Sequence, residues 1–336
     1  MTNFSGFFRF AATVLLALFS FQTPVVGDQV VSTSVDLTPI FDGQPPQSID
    51  DLLAMQRHQQ DLADRLVRCT VAVVVDSAHG SGVIISEDGY VLTAAHVAGQ
   101  PNRRATIILS DGRRVRGTTL GCHLTLDAGL MKITDPGPWP YAEMAEEDVA
   151  RRGQWCLVTG HPGGYQQGRP PVVRIGRVLS TDRFAVTTDC TLVGGDSGGP
   201  LFDMEGRVIG INSRIGRDLT ANLHVPVVAY RENWDRLANG DQWGHFPGTG
   251  PVIGVRGSQD SEQARIVQVY PGTPAEKAGI RAGDVIVKFN GKKVTDFSSL
   301  QVLVNDCQPG DKVSVELLRD DRRVLLEMVV GQQGSP

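Results

Sequence analysis

Short apolar runs, broken by glycine-containing turns, fill most of the chain after residue 68 and predict a structure built mainly of β-strands. The clearest case is 83–92, where two apolar segments flank an Asp-Gly pair that favours a hairpin turn. The second of these segments leads directly into Thr93-Ala94-Ala95-His96. The pattern therefore places His96 at the end of a buried hairpin.

One segment ahead of the strands has helical rather than alternating spacing. Ser48 is a favourable N-cap residue. The apolar residues after it recur at helical spacing: Ile49, Leu52, Leu53, Leu62 and Leu66. We therefore expect a helix at 48–67, within an N-terminal segment that spans 28–67.

A second folding unit follows the glycine-rich, polar linker at 237–250. Beyond it, strands are predicted at 267–270, 284–291, 313–318 and 324–330, and helices at 273–279 and 297–305. A chain of 336 residues has room for two or three domains. The pattern thus indicates a larger β-rich unit followed by a smaller α+β unit.

Ser197 stands among four glycines in the stretch 194–200, which reads GGDSGGP. Glycines let neighbouring N–H groups converge on one point, as a serine nucleophile and its oxyanion hole require, although a glycine-rich surface turn is the alternative. A serine nucleophile also needs a base and a carboxylate that orients the base. His96 and Asp127 are the candidates, and they precede Ser197 in the order His–Asp–Ser.

Residues 68–236 resemble the chymotrypsin-like serine proteases and, among these, the HtrA branch. The matching strings are GSGVIIS at 80–86, LTAAHV at 92–97, LDAGL at 126–130, GHPGG at 160–164 and GGDSGGPL at 194–201. The resemblance implies two six-stranded β-barrels with the active site between them. It also implies that Ser197 is the nucleophile, that His96 is the general base and that Asp127 orients His96.

The resemblance places the oxyanion hole at Gly195, Asp196 and Ser197, with the Gly195 and Ser197 N–H groups holding the oxyanion. Asp196 departs from the HtrA pattern, which usually has Asn here, and matches the trypsin group instead. In that group the acid pairs with a new N-terminus made by zymogen cleavage, and no such cleavage site is visible here. The sequence does not identify the partner of Asp196. If this acid is unpaired, the oxyanion-hole loop is disordered at rest and needs a trigger to become ordered.

The resemblance also indicates the primary substrate pocket, which we assign to Thr191, Ser213 and Ile215. Thr191 stands six residues before the serine, where an acid would select Lys or Arg. An uncharged, partly filled pocket favours small aliphatic residues at the cleavage point, with loose discrimination. Asp189 is close in sequence but is not at the selecting position.

Residues 251–333 resemble a PDZ domain, most clearly in the string GTPAEKAGIRAGD at 272–284. PDZ domains bind extended peptide C-termini by strand addition and capture the carboxylate with backbone N–H groups. The resemblance assigns this role to Ile253, Gly254 and Val255, although these residues can also be read simply as the first strand. The fold class is therefore mainly β: a chymotrypsin-like double barrel followed by a small α+β PDZ domain.

The N-terminus indicates export. An arginine at position 9 precedes an apolar run at 11–21, which is short for a membrane span and typical of a signal-peptide core. We expect a signal peptide at 1–27, cleaved after Gly27, and location in the periplasm or outside the cell. The alternative is an uncleaved anchor that keeps the protein at the membrane.

Composition narrows the choice of partners. A net charge of −5 without a long basic cluster argues against nucleic acid. Five cysteines without histidines at ligand spacing argue against a metal site, and no cofactor is expected.

Cys156 lacks the partner found in trypsin-like enzymes, because that position is Asp203, so buried free thiols are expected. Related proteins suggest a homotrimer.

Together these features predict an exported, ATP-independent serine endopeptidase that degrades misfolded or unfolded proteins. The smaller unit would recruit them or regulate the protease through peptide C-termini. The alternative is a chaperone-like protein that binds clients with little proteolysis.

Overall fold

The computed structural model describes residues 35–146, 150–216, 221–246, 248–258 and 263–333. The predicted signal segment at 1–27 lies outside these residues. In the part that is described, no helix is both long and apolar enough to cross a membrane.

Two helices precede the strands: α1 (Thr38–Phe41) and α2 (Ile49–Cys69). The expected cap of α2 is confirmed, because the Ser48 side chain accepts the Asp51 N–H at 3.1 Å. Asp51 in turn accepts the Ser48 N–H, which completes a capping box. Leu62 and Leu66 are buried with second-barrel residues, whereas Ile49 is 75% exposed. Met55 is also buried, so the helix packs along its length from Met55 to Cys69 while its first turn is exposed.

The first barrel consists of six antiparallel strands: β1 (Thr70–Val75), β2 (Ala78–Ile84), β3 (Tyr90–Ala94), β4 (Arg104–Ile108), β5 (Arg114–His123) and β6 (Ala128–Ile133). They pair in the order β5-β4-β1-β2-β3-β6, and β5 also pairs with β6, which closes the barrel. A short helix, α3 (Ala95–Ala98), follows β3. His96 therefore lies on the first turn after the predicted hairpin.

The second barrel also has six strands: β7 (Trp155–Gly160), β8 (Val172–Thr181), β9 (Val186–Thr188), β10 (Pro200–Phe202), β11 (Val208–Ile215) and β12 (Asn222–Pro226). They close in the order β10-β11-β12-β9-β8-β7. Three short elements follow: α4 (Val227–Glu232), α5 (Trp234–Ala238) and β13 (Gln242–Trp243), which adds to β5. The two six-stranded barrels expected from the resemblance are confirmed.

The C-terminal unit is the expected α+β unit. Its elements are β14 (Pro251–Val252), β15 (Val255–Gly257), β16 (Ala264–Val269), α6 (Pro274–Lys277), β17 (Val285–Phe289), β18 (Lys292–Lys293), α7 (Phe297–Asn305), β19 (Lys312–Arg319), β20 (Arg322–Val329) and β21 (Gly331–Gln332). The main sheet has the order β15-β16-β17-β19-β20, and β14 pairs with β21. Strand β15 therefore lies at an edge of this sheet. The C-terminal unit has an apolar core of its own.

Candidate active site

His96 and Asp127 meet because β3 and β6 are neighbours. Ala94, the last residue of β3, pairs with Ala128, the first residue of β6, so the residues just beyond these strand ends are close. His96 Nδ1 lies 2.9 Å from Asp127 Oδ2, and the His96 backbone N–H donates to Oδ1 at 3.0 Å. Asp127 has a φ of +63°, a conformation that aspartate tolerates better than most residues.

Asp127 is almost completely buried and is held from several sides. Its side chain is only 4% exposed, whereas that of His96 is 41% exposed. The Ser213 hydroxyl donates to Asp127 Oδ2 at 2.5 Å, and the Ala95 N–H donates to the Asp127 carbonyl at 2.9 Å. This arrangement favours the tautomer with hydrogen on His96 Nδ1. His96 Nε2 is then left to act as a base.

The loop that carries Ser197 leads into β10 and docks on β2 of the first barrel. The Ser81 N–H donates to the Ser197 carbonyl at 2.8 Å, and the Ser81 hydroxyl donates to the Gly195 carbonyl at 2.8 Å. Neighbouring Gly80 borders both Val97 and the Ser197 carbonyl. No hydrogen bond joins His96 to Ser197 among the described residues. Such bonds are often long in the absence of substrate.

The oxyanion hole is supported by the geometry of the Gly194–Gly195 peptide. The Gly194 carbonyl accepts the Gly163 N–H at 2.6 Å. A trans peptide points its N–H away from its carbonyl oxygen, so the Gly195 N–H is directed away from Gly163. In the described ranges, neither the Gly195 nor the Ser197 N–H has an acceptor. Both donors are therefore available to a substrate oxyanion.

Asp196 does not supply a third donor. Its N–H donates to the Val193 carbonyl at 3.1 Å, which corrects the expectation that Asp196 forms part of the hole. Its carboxylate is fully buried; Oδ2 accepts the Val193 N–H at 3.0 Å and lies 3.1 Å from Arg174 Nη1. Burial raises the pKa of Asp196, while the Val193 N–H and Arg174 oppose that increase. Arg174 is thus the partner that the sequence left open.

The predicted pocket residues lie on adjoining segments, but Ser213 has another role. Its hydroxyl donates to Asp127, so this hydroxyl is not available to substrate. The Leu192 N–H donates to Asn222 Oδ1 at 3.2 Å, and Asn222 pairs with Ile215. Thr191 and Ile215 therefore flank the same strand end, and both are exposed.

Comparison with known proteins identifies the family. Residues 80–211 match a model of the trypsin-like peptidase domain, and residues 251–330 match a PDZ domain model. A putative serine protease HhoA from Synechocystis is 30% identical over 294 residues, which cover 77% of this chain and 72% of that protein. The chain belongs to the HtrA family of serine proteases.

Other HtrA relatives show how much of the family architecture is covered. A probable periplasmic serine endoprotease, DegP-like, from Ectopseudomonas mendocina is 32% identical over 269 residues. The match covers 75% of this chain but 56% of that relative, so the chain spans about half the length of its DegP-like relatives. A solved serine endoprotease from Yersinia pestis has a TM-score of 0.56 and 25% identity, covering 86% of this chain and 99% of that structure.

In this HtrA-family chain, the loop that precedes β15 of the PDZ unit is held through its carbonyl groups. Gly254 has a φ of +79°, and its carbonyl accepts the Tyr270 N–H at 3.0 Å. The Ile253 carbonyl accepts the Ala275 N–H at 2.8 Å. The Ile253 and Gly254 N–H groups have no acceptor within the described residues. Val255 begins the edge strand β15.

The five cysteines, all within the described ranges, are buried and unbridged: Cys69, Cys122, Cys156, Cys190 and Cys307. The sequence offered no partner for Cys156, yet its Sγ lies 3.8 Å from Cys190 Sγ. Gly176 pairs with Cys156 on the neighbouring strand and leaves room for the Cys190 side chain. Within the described residues, no cluster of side chains suits a metal ion.

Sequence reasoning missed Arg174 and the Ser213–Asp127 bond. Arg174 and Arg177 both interrupt the apolar run 172–179, and a charge in such a run needs a partner, so the run indicates a nearby acid without showing which arginine meets it. No local pattern distinguishes the Ser213 hydroxyl from that of any other strand serine.

Proposed function

We propose that this HtrA-family chain is an exported, ATP-independent serine endopeptidase that degrades unfolded or misfolded proteins. The observation that carries the proposal is the buried Asp127 carboxylate, which lies 2.9 Å from His96 Nδ1 and leaves Nε2 available as a base. The names of the relatives, serine protease and periplasmic serine endoprotease, support the same activity.

The proposed reaction uses these groups in sequence. His96 removes the proton from Ser197 as its Oγ attacks the peptide carbonyl, and then gives the proton to the leaving amine. Asp127 stabilises the imidazolium that forms in between. The Gly195 and Ser197 N–H groups stabilise the oxyanion, and one such donor contributes about 10²–10³-fold to kcat. Water then hydrolyses the acyl-enzyme, with His96 again acting as the base.

Small aliphatic residues are the expected preference at the cleavage point. The large apolar side chains near the pocket, Val193 and Ile215, are 43% and 48% exposed. Asp189, the nearest acid in sequence, has its Oδ1 engaged by the Arg177 N–H at 2.6 Å. Peptides with Val, Ala or Ile at the cleavage point should have kcat/KM about 10-fold or more above matched Arg peptides. Equal values would contradict the preference.

The PDZ unit is proposed to bind peptide C-termini and thereby recruit substrates or regulate the protease. Its edge strand β15 and the free Ile253 and Gly254 N–H groups support this role. An HtrA-type protease, AlgW, was solved with a tripeptide and has 25% identity and a TM-score of 0.53 to this chain. Titration of an apolar peptide should show binding with a free carboxylate and loss of binding when the C-terminus is amidated.

Export to the periplasm rests on the predicted signal segment and on relatives named periplasmic. Fractionation followed by N-terminal sequencing should find mature protein beginning after Gly27; full-length protein in the membrane fraction would favour the anchor.

The homotrimer stays a prediction. Light scattering after size-exclusion chromatography measures the mass directly.

The decisive experiment compares three proteins on unfolded casein without nucleotide: wild type, Ser197→Ala and Ser180→Ala. Ser180 is an exposed serine on β8 of the same barrel and serves as the matched control. We expect cleavage by wild type and the control but a loss of at least 10³-fold in Ser197→Ala. Inert wild type that keeps casein soluble would establish the client-binding alternative instead.

A further inference from the structure

We propose that Arg174 is a positioning residue, a built-in counter-charge that holds the Ser197 loop in its reactive form without a cleaved N-terminus. The inference rests on the proposed protease function and identifies the residue that positions the Ser197 loop. It starts from the Asp196 side chain, which is 0% exposed and lies between the two residues that present the oxyanion donors. A buried carboxylate without a counter-charge is strongly unfavourable, so its partner fixes where it sits.

Arg174 is held by the barrel rather than by the loop. It lies on β8, where it pairs with Val158 of β7, and its side chain is 21% exposed. Among the described residues, Arg174 forms the ion pair to Asp196, with Nη1 3.1 Å from Oδ2. The second barrel therefore supplies a cationic side chain to the Ser197 loop.

Gly160, at the end of β7, borders the space that the Asp196 carboxylate occupies. A side chain at Gly160 would bring its Cβ within 2.6 Å of Asp196 Oδ1, so glycine leaves the space that the carboxylate occupies. Arg169 stabilises the neighbouring loop by donating to the Pro162 carbonyl at 2.5 Å and the Gly164 carbonyl at 2.7 Å. Strand ends and loop thus form a fixed frame around the acid.

This frame is coupled to the oxyanion donors. Asp196 accepts the Val193 N–H and closes the turn that contains Gly194 and Gly195. The Gly194 carbonyl is held by Gly163, in the loop that Arg169 stabilises. Fixing the carboxylate therefore fixes the peptide whose N–H must face the substrate. Such preorganised donors act in the transition state and so affect kcat more than KM.

The test compares Arg174→Gln, Arg174→Lys, Asp196→Asn and Arg174→Gln/Asp196→Asn with wild type. The matched control is Arg207→Gln, because Arg207 pairs with the buried Asp203 in the same barrel but does not contact the Ser197 loop. The readouts are kcat and KM on a peptide substrate, the rate of labelling by a fluorophosphonate, thermal unfolding, and hydrogen exchange in 191–199.

We expect Arg174→Gln to lower kcat and the labelling rate about 10- to 100-fold, with KM changed less than threefold and faster exchange in 191–199. Lysine should restore part of the rate. The double variant should be faster than Arg174→Gln, because asparagine keeps an acceptor for Val193 but needs no counter-charge. Arg207→Gln should lower the unfolding temperature without lowering kcat.

The proposal is overturned if Arg174→Gln folds with unchanged kcat and exchange in 191–199. It is also overturned if the loss of rate follows unfolding temperature across all variants, including Arg207→Gln. If Arg174→Gln does not fold, the lysine and double variants decide by the same criteria. Wild type that never labels at Ser197 would overturn the protease function instead, and exchange in 191–199 would still decide the role of Arg174.

Discussion

Two of the buried acid–arginine pairs, one chosen from each unit, are built differently. In the PDZ unit, Arg319 donates to both oxygens of Asp284 at 2.8 Å, and the Arg281 N–H adds a third bond at 2.8 Å. In the second barrel, Arg174 approaches a single oxygen of Asp196 at 3.1 Å. Asp196 Oδ1 and Arg174 Nη1 are buried without a hydrogen bond in the described structure.

This difference separates a structural clamp from a functional support. A bidentate pair fixes both distance and orientation, so Asp284–Arg319 ties the residue before β17 to the last residue of β19. Unsatisfied buried polar atoms are uncommon in folded proteins and require a reason. Around the Ser197 loop they recur, since His161 Nδ1 and Arg169 Nε also lack partners within the described residues. The two pairs therefore differ in how completely their hydrogen bonds are satisfied.

The largest expected effect is that acid destabilises the barrels more than the PDZ unit. Burial lowers the pKa of His161 to about 4 and that of His224 to about 3, while residues 251–333 contain no histidine. In the unfolded chain these histidines bind protons near pH 6.5, whereas in the folded barrels they stay neutral to lower pH. The free energy of unfolding therefore falls as the pH falls. The loss is about 1.4 kcal/mol per pH unit for each histidine between 6.5 and its folded value.

Urea unfolding from pH 7 to pH 4.5, monitored separately for the two units by hydrogen exchange, measures this difference. His224→Gln should remove about one proton from the uptake on unfolding and flatten the barrel's pH dependence. Equal acid sensitivity in both units would contradict the assignment to buried histidines.

The next effect sharpens the contrast between the two arginines. Arg319→Gln should destabilise the PDZ unit by about 2 kcal/mol, towards the low side for a broken buried pair because Arg319 is 23% exposed. Peptide hydrolysis should stay within twofold of wild type. Denaturant unfolding and kcat measured on the same preparation test this. A kcat reduced as strongly as in Arg174→Gln would remove the distinction between clamp and support.

The smallest effect concerns the acids themselves. Asp196→Asn should change stability by less than about 1 kcal/mol, because relief of the desolvation that raises the pKa of Asp196 offsets the lost ion pair. Asp284→Asn should cost more, since it disrupts a bidentate arrangement. Paired urea titrations at pH 7 give both values, and the reverse ranking would show that the Asp196 pair is the stronger clamp.

Much of the fold and part of the site could be predicted because their signals are local. Ser48 and Asp51 cap α2 within one turn, and the Asp-Gly pair after Ile85 predicts a hairpin, whatever the rest of the chain does. The glycines around Ser197 likewise specify a turn by their own conformational freedom. These features, with the motifs that carry the family resemblance, were sufficient for the double barrel and the PDZ unit.

What the sequence determined by itself was the capped helix α2, the hairpin before His96, the family resemblance and the candidate residues His96, Asp127 and Ser197. Tertiary structure alone decided that Asp196 faces Arg174, that Ser213 holds Asp127 and that Cys156 lies beside Cys190. The reason is physical: turns and caps depend on neighbouring residues, whereas a partner across a barrel depends on strand register and closure. The chain has 32 lysines and arginines, and the packing of β8 and the Ser197 loop in the closed barrel brings Arg174 to Asp196.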